Sequence, residues 1–301
     1  MYDYAREHYP DLPTMGTENL VQYHEWKAIE ERPWISGTFL WTGIDYLGES
    51  NGKWPKKHNS SGMLDLAGLP QASYYMMQSL WSEEPMIHLT TQTVAKSIFR
   101  ITETGKVMER KPGSWQRALW SWHNVNPYWN YASGDTIIVE ALSNCPTAEL
   151  FLGGKSLGRQ HLADQPDHIY KWAVPYAAGN LEVKGYQNDL VIREELRSAG
   201  KAAAIRLRQE GLEEEGIVQV VAELVDERGV PVRYQEGLLT FTVEGGTLLG
   251  VDNGAPTNTM AFQGGKVTTA YGKALAILRK DGNAATLTVT AAGLTAVRAS
   301  Y

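Results

Sequence analysis

With 301 residues the chain is longer than one typical domain and long enough for two or three. Hydrophobic residues make up 43% and charged residues 21%, which describes a soluble globular protein and excludes a disordered or collagen-like chain. Net charge is −6 with no basic stripe, so nucleic acid is not an expected partner. No apolar run approaches the ~20 residues of a membrane span. The single cysteine, Cys145, rules out an internal disulfide. No His-Glu-x-x-His or paired-cysteine spacing occurs, so neither a metal nor any other cofactor is expected. Ten Trp and fifteen Tyr against five Phe favour aromatics with a polar handle, which suit sugar faces and β-sandwich cores alike.

In chain order, Pro13–Thr17 reads as a short strand ending in the carboxylate of Glu18. A helix is predicted over Tyr23–Glu31, with Tyr23, Trp26 and Ile29 on one side and Pro33 as its stop. Trp34–Trp41 opens apolar on both faces, as a strand buried on both sides must be. From Trp41 the chain changes character: aromatics, glycines and the acids Asp45 and Glu49 alternate as far as Glu49. A long loop follows from Gly48 to Leu69, rich in Gly, Asn, Ser and Lys. A second helix is predicted to open at Pro70, with Ala72, Tyr75, Met76, Ser79 and Leu80 at helical spacing and Pro85 marking its end. Two successive strand ends deliver Glu18 and Trp41 to the same rim, the way a barrel enzyme builds one wall of its site. The bland alternative is an ordinary core strand and a surface turn.

Tyr9-Pro10-Asp11 with Gly16-Thr17-Glu18, then Arg32-Pro33-Trp34, then the run from Phe39 to Glu49, resemble the end of the catalytic barrel in glycoside hydrolase family 2, in its β-galactosidase-like bacterial members. The resemblance implies a multidomain fold: the C-terminal part of a (β/α)8 barrel, followed by two all-β immunoglobulin-like sandwiches. Residues 1–87 become the barrel segment, with Pro13–Thr17 and Trp34–Trp41 as its seventh and eighth strands. A full barrel needs roughly 250 residues. The remainder of the barrel is therefore an expected partner, upstream in the same polypeptide or on another chain. Met1–Glu7 is no signal peptide, but the natural chain is expected to begin further upstream, and a periplasmic or secreted parent protein is expected.

The implied activity is that of a retaining β-glycosidase hydrolysing O-glycosidic bonds in an oligosaccharide or glycoside, with two carboxyls roughly 5–5.5 Å apart. The resemblance carries the nucleophile onto Glu18, for which the plainer reading is an acid stabilised at a helix N-terminus. It carries the sugar platform onto Trp41, for which the plainer reading is core packing. Asp45 and Glu49 either bind sugar hydroxyls or cap their loop. His24 and His58 lie near the site in sequence. The acid/base of the family belongs to an Asn-Glu pair, and no Asn-Glu dipeptide occurs here. The chain alone is therefore expected to be inactive. Sugar identity is not legible: galactose, glucuronate and mannose all fit, and a glucuronate would want a basic partner such as Lys53, Lys56 or Lys57.

From His88 the texture becomes short alternating strands, including Thr136–Leu142 and Ala148–Leu152, with a hairpin signal at Gly153-Gly154. Residues 88–198 are read as a β-sandwich. Ser143-Asn144-Cys145 with Glu149–Gly158 resembles the sandwich that follows the barrel in the same enzymes. Gly154-Lys155-Ser156 is no phosphate loop, because Glu149 stands where that motif needs a glycine. Trp115, Trp120, Trp122, Tyr128, Trp129 and Tyr131 form the richest aromatic run, with Trp120 and Trp122 expected on one face of a strand. They either bind sugar or pack. Residues 199–301 are read as a second, immunoglobulin-like sandwich, with a charged stretch at Arg206–Glu215 and strands at Ile217–Leu224, Leu238–Val243 and Ala285–Ala291. Gly250–Gly254 resembles a loop of the terminal sandwich in the family, in which Asp252 caps a turn or, less simply, binds calcium. A rival reading from another class is an array of immunoglobulin-like modules that binds carbohydrate or adheres without catalysis. It accommodates residues 88–301 and leaves the first 87 without a place.

Overall fold

The structure is a computed structural model that describes residues 1–117 and 120–301. Its first part runs α1 (Tyr2–His8), β1 (Thr14–Asn19), α2 (Tyr23–Glu30), β2 (Ile35–Leu40) and α3 (Ala72–Trp81). β1 and β2 pair in parallel, Thr14 opposite Ile35 and Asn19 opposite Leu40. A parallel pair needs a crossover, and α2 supplies it. Among the described residues no third strand joins these two. The faces of the pair are only partly covered: Met15 is 47% and Phe39 64% exposed. α3 begins two residues later than the expected start at Pro70. Gln71 N–H donates to Met63 O and Asp65 N–H to Leu69 O, which holds the chain extended through Pro70 before the helix can turn. Met76 of α3 then packs on Leu142 and Ile169.

The next part has two sheets around one core. β3 (Ile87–Thr93), β6 (Thr136–Ser143) and β9 (Ile169–Pro175) form one, with β6 central. The other has the order β11 (Leu190–Arg197), β10 (Asn180–Gln187), β7 (Thr147–Leu152), β8 (Lys155–His161). Leu89, Ile137 and Val139 of the first sheet meet Leu150, Leu181 and Val183 of the second, all fully buried. Gly153 and Gly154 turn β7 into β8 with φ of 56° and 82°, the positive pair that a tight hairpin of this twist requires. A small hairpin, β4 (Phe99–Ile101) with β5 (Val107–Glu109), stands beside this core. Trp129 is fully buried and its indole N–H donates to Ala177 O at 3.0 Å, so this member of the aromatic run packs. Trp120 and Trp122 do not alternate on a strand. They lie in an irregular stretch, with Trp120 half exposed and, among the described residues, no strand paired to them.

The last part is a second two-sheet unit. One sheet has the order β12 (Ala204–Glu214), β13 (Ile217–Val225), β17 (Lys273–Lys280), β15 (Gly246–Asp252). The other has β16 (Lys266–Thr268), β14 (Leu238–Glu244), β18 (Thr286–Ala291), β19 (Val297–Ser300). Val220, Ala276 and Leu278 meet Leu239, Leu287 and Val289 in its core. The charged stretch is strand β12 itself: Ile205 turns inward while Arg206 points out to Glu223. Asp252 accepts the Asn258 side-chain amide at 2.7 Å, the turn-capping alternative. Among the described residues no group of three ligating side chains could hold a metal ion. Where the terminal sandwich begins, the Asp226 carboxylate accepts N–H groups from Gly200, Arg228 and Val230, and the Arg228 guanidinium reaches back to donate to Ser198 O at 2.8 Å. Burial pushes this carboxyl up, but those donors outweigh it and hold it well below the usual range. Among the described residues no helix is long and apolar enough to cross a membrane.

Candidate active site

Glu18 and Trp41 leave the same end of the β1–β2 pair. The link is direct: Trp41 N–H donates to Asn19 O at 2.9 Å, continuing the parallel ladder one residue past β2. Glu18 is exposed, with a left-handed backbone at φ 55° that breaks the register between Gly16 and Asn19. Gly16 has to be glycine. A Cβ there would lie 2.1 Å from the Asn19 side-chain oxygen. That side chain is buried, and its amide donates to Glu25 at 2.7 Å, anchoring the strand end to α2. Glu25 is itself held below its ordinary value, first by its contact with His24. His24 thereby serves α2 rather than the rim.

Trp41 is half-buried and meets Tyr46 edge-on, with ring centroids 5.9 Å apart. The Trp41–Thr42 peptide is cis. Glu49 is exposed and also left-handed, at φ 51°. The Tyr46 phenol is pushed up, first by the Glu49 carboxylate beside it, then by desolvation, with the charge of Glu18 adding to the effect. The rim gathers Glu18, Trp41 and Tyr46, with the exposed Glu49 three residues further along the same run. Sequence reasoning assigned Tyr46 no role, and only its place inside the Trp41–Glu49 run could have flagged it.

Asp45 does not share this exposure. It is 3% exposed, and its carboxylate accepts the Gly62 N–H at 2.7 Å and the Gln71 amide at 3.0 Å, with His58 Nδ1 at 3.5 Å. Burial pushes the carboxyl up while those partners pull it back. Of the two roles open for Asp45, loop cap and sugar contact, the geometry gives it the first. A side chain spent on three protein partners and sealed from water has nothing to offer a ligand. His58, fully buried, is a support for that cap.

The three lysines also separate. Lys56 donates to Asn59 at 2.8 Å, and the Lys57 ammonium lies 4.1 Å from the Phe262 ring centre. Lys53 is exposed. Away from the rim, Trp115 and Trp122 line a cavity of about 350 Å³ with Tyr23, Met76 and Phe99, at the junction between the first part and the first sandwich.

Comparison with known proteins gives a consistent set of likenesses. Residues 206–300 match the family described as glycoside hydrolase family 2 C-terminal domain 5, and residues 134–192 match a domain of unknown function, DUF4982. The chain is 31% identical over 278 residues to the β-galactosidase BoGH2A of Bacteroides ovatus, covering 89% of this chain and 28% of that protein. A β-glucuronidase of Formosa agariphila is 22% identical over 247 residues, covering 78% of this chain and 21% of its own length. The chain thus spans under a third of these relatives. Among solved structures, a family 2 glycosyl hydrolase of Bacteroides cellulosilyticus superposes with a TM-score of 0.85 at 27% identity, over 99% of this chain and 40% of that one. A β-glycosidase of Bacteroides vulgatus gives 0.73 at 26% identity, over 92% and 32%.

Proposed function

The chain belongs to glycoside hydrolase family 2, and on that premise we propose that it carries the nucleophile half of a retaining β-glycosidase site. In this reading residues 1–87 are the C-terminal segment of a catalytic (β/α)8 barrel, and residues 88–198 and 199–301 are two sandwiches that follow it. The barrel reading is supported by the parallel β1–α2–β2 unit and by the exposed Met15 and Phe39 on its faces, which six further strands would cover. The parent protein acts on β-galactosides or β-glucuronides, the two activities carried in the names of its relatives.

Glu18 is the nucleophile in this proposal, Trp41 the platform beneath the sugar, and Glu49 a contact to its hydroxyls. The observation that carries the reading is the convergence of Glu18 and Trp41 on one strand end, locked by the Asn19–Trp41 bond. The left-handed backbone of Glu18 adds to it, since strain of that kind gathers where a side chain must be aimed. Glu18 attacks the anomeric carbon and forms a glycosyl ester as the leaving oxygen takes a proton from a second carboxyl. That carboxyl then removes a proton from water, which cleaves the ester with net retention. The second carboxyl comes from the rest of the barrel. Without it the chain loses general acid help worth about 10²–10⁴-fold, so the chain alone is inactive.

The test uses the chain joined to its upstream region. A 2-deoxy-2-fluoro glycoside that traps the intermediate should add one glycosyl mass to the peptide holding Glu18. A mass added to another peptide ends the proposal. Rates on chromogenic β-galactosides and β-glucuronides choose between the sugars, and Lys53 is the exposed basic candidate for a glucuronate carboxylate.

A further inference from the structure

The loop after β2 does not trail into solvent. Its first limb lies against its second like a ladder: Thr42 N–H donates to Ser61 O, Leu64 N–H to Gly43 O, Asp45 N–H to Leu64 O and Gly48 N–H to Lys57 O. The second limb is seated on the terminal sandwich. Lys57 N–H donates to Pro256 O at 2.8 Å, and its ammonium lies over Phe262. Ala67 and Leu69, both buried, pack with Val221 of β13 and Leu275 of β17. Between these contacts Asp65 lies against Gly254 so closely that a Cβ on Gly254 would be 2.3 Å from its carboxylate oxygen. Asp65 also accepts the N–H groups of Ala67 and Leu69, at 2.9 Å each, which fixes the turn that presents Leu69. Ser121, on the segment leading into the first sandwich core, adds a bond to Asn59 at 3.1 Å.

We infer that the terminal sandwich is a positioning element of the candidate active site: through the seat made by Gly254, Pro256 and Leu275 it holds the loop that sets Tyr46 against Trp41 at the Glu18 rim. This rests on the reading of the Glu18 rim as the sugar site. The physical need is plain. Ordering a loop residue costs about 1–2 kcal/mol of backbone entropy. A loop without helix or long strand cannot meet that from its own contacts, and the rigid sheet of β13 and β17 supplies the rest. Leu69 and Gly254 are positioning residues, since neither reaches the rim.

The test compares Leu69→Ala and Gly254→Ala with Leu212→Ala, a change at a fully exposed tip of the same sandwich. Amide exchange is measured in the 301-residue chain. Residues 43–64 should exchange at least tenfold faster in Leu69→Ala and Gly254→Ala, with β17 and β18 unchanged in Leu69→Ala and everything unchanged in Leu212→Ala. In the enzyme joined to its upstream region, Leu69→Ala should lower kcat about tenfold with little change in KM. Gly254→Ala risks the sandwich itself, so Leu69→Ala decides. If its 43–64 amides keep the parent rate, or if β17 loosens in step with them, the seat is overturned. An unaltered enzyme that hydrolyses no glycoside would end the glycosidase reading instead, and the exchange result would stand apart from it.

Discussion

Glu18 lends itself to a test in which stability and activity move in opposite directions. Its backbone sits at φ 55°, a region that costs an L-residue other than Gly or Asn roughly 1–2 kcal/mol. The side chain is exposed, and no hydrogen bond or ion pair among the described residues holds it. Replacing it therefore removes strain and no contact. Asn tolerates this conformation, so Glu18→Asn should stabilise by about 0.5–1 kcal/mol. Glu18→Gly relieves the same strain but loses about 0.5–1 kcal/mol to backbone freedom, so it should come out near neutral. Glu18→Gln keeps the backbone as it is and should leave stability unchanged. All three should lose hydrolysis by on the order of 10⁴–10⁶-fold, the scale of losing a nucleophile. The assay is urea unfolding of the enzyme joined to its upstream region, paired with turnover of a chromogenic glycoside. Two outcomes refute the reasoning: Glu18→Asn destabilising by 1 kcal/mol or more, or Glu18→Gln turning over near the parent rate.

Glu140 is fully buried on β6 with His123 Nε2 at 2.7 Å, so His123→Ala strands a buried carboxylate and should cost about 3–5 kcal/mol in denaturant unfolding, against about 1 for Glu140→Gln. Burial raises the Asp65 carboxyl to about 6, with Lys273 opposing it. The native state therefore holds a proton that the unfolded chain has lost, and stability should fall as pH rises from about 4 to 6. Asp65→Asn should flatten that slope in a pH series of unfolding midpoints. Asp226 works the other way. Its depressed carboxyl stabilises fully above about pH 4, and that stability is lost as pH falls through the native value, so Asp226→Asn should blunt acid unfolding and lower stability at neutral pH.

What the sequence made legible was local. The alternation and turn residues around Gly153-Gly154 carry their own geometry, and β7 and the turn that follows it lie where they are expected. The strands ending near Glu18 and Trp41 fall within two residues of the structure's bounds, because proline and apolar runs mark them. Asp45 was open because its partners are remote: Gln71 is 26 residues away and His58 sits on the opposite limb of the loop. Nothing in the Gly48–Leu69 composition announces that its second limb is partly buried, since the apolar surface that buries Ala67 and Leu69 belongs to β13 and β17. Trp129 and Trp120 look alike in the sequence, and one is sealed in a core while the other is half exposed. Distant packing decides such cases, and periodicity cannot see it.

The seat at Gly254 has a consequence for how the protein is made. The limb that carries Tyr46 and Glu49 leaves the ribosome about 200 residues before Gly254, Pro256 and Leu275. At 5–20 residues per second the wait is on the order of ten seconds or more. Through that interval the rim residues exist but the surface that holds them does not, so the site is completed from its far end, after the last sheet has closed. A nascent chain halted before β17 would display Glu18 and Trp41 beside an unheld loop, and competence to handle a sugar would wait for that strand to emerge.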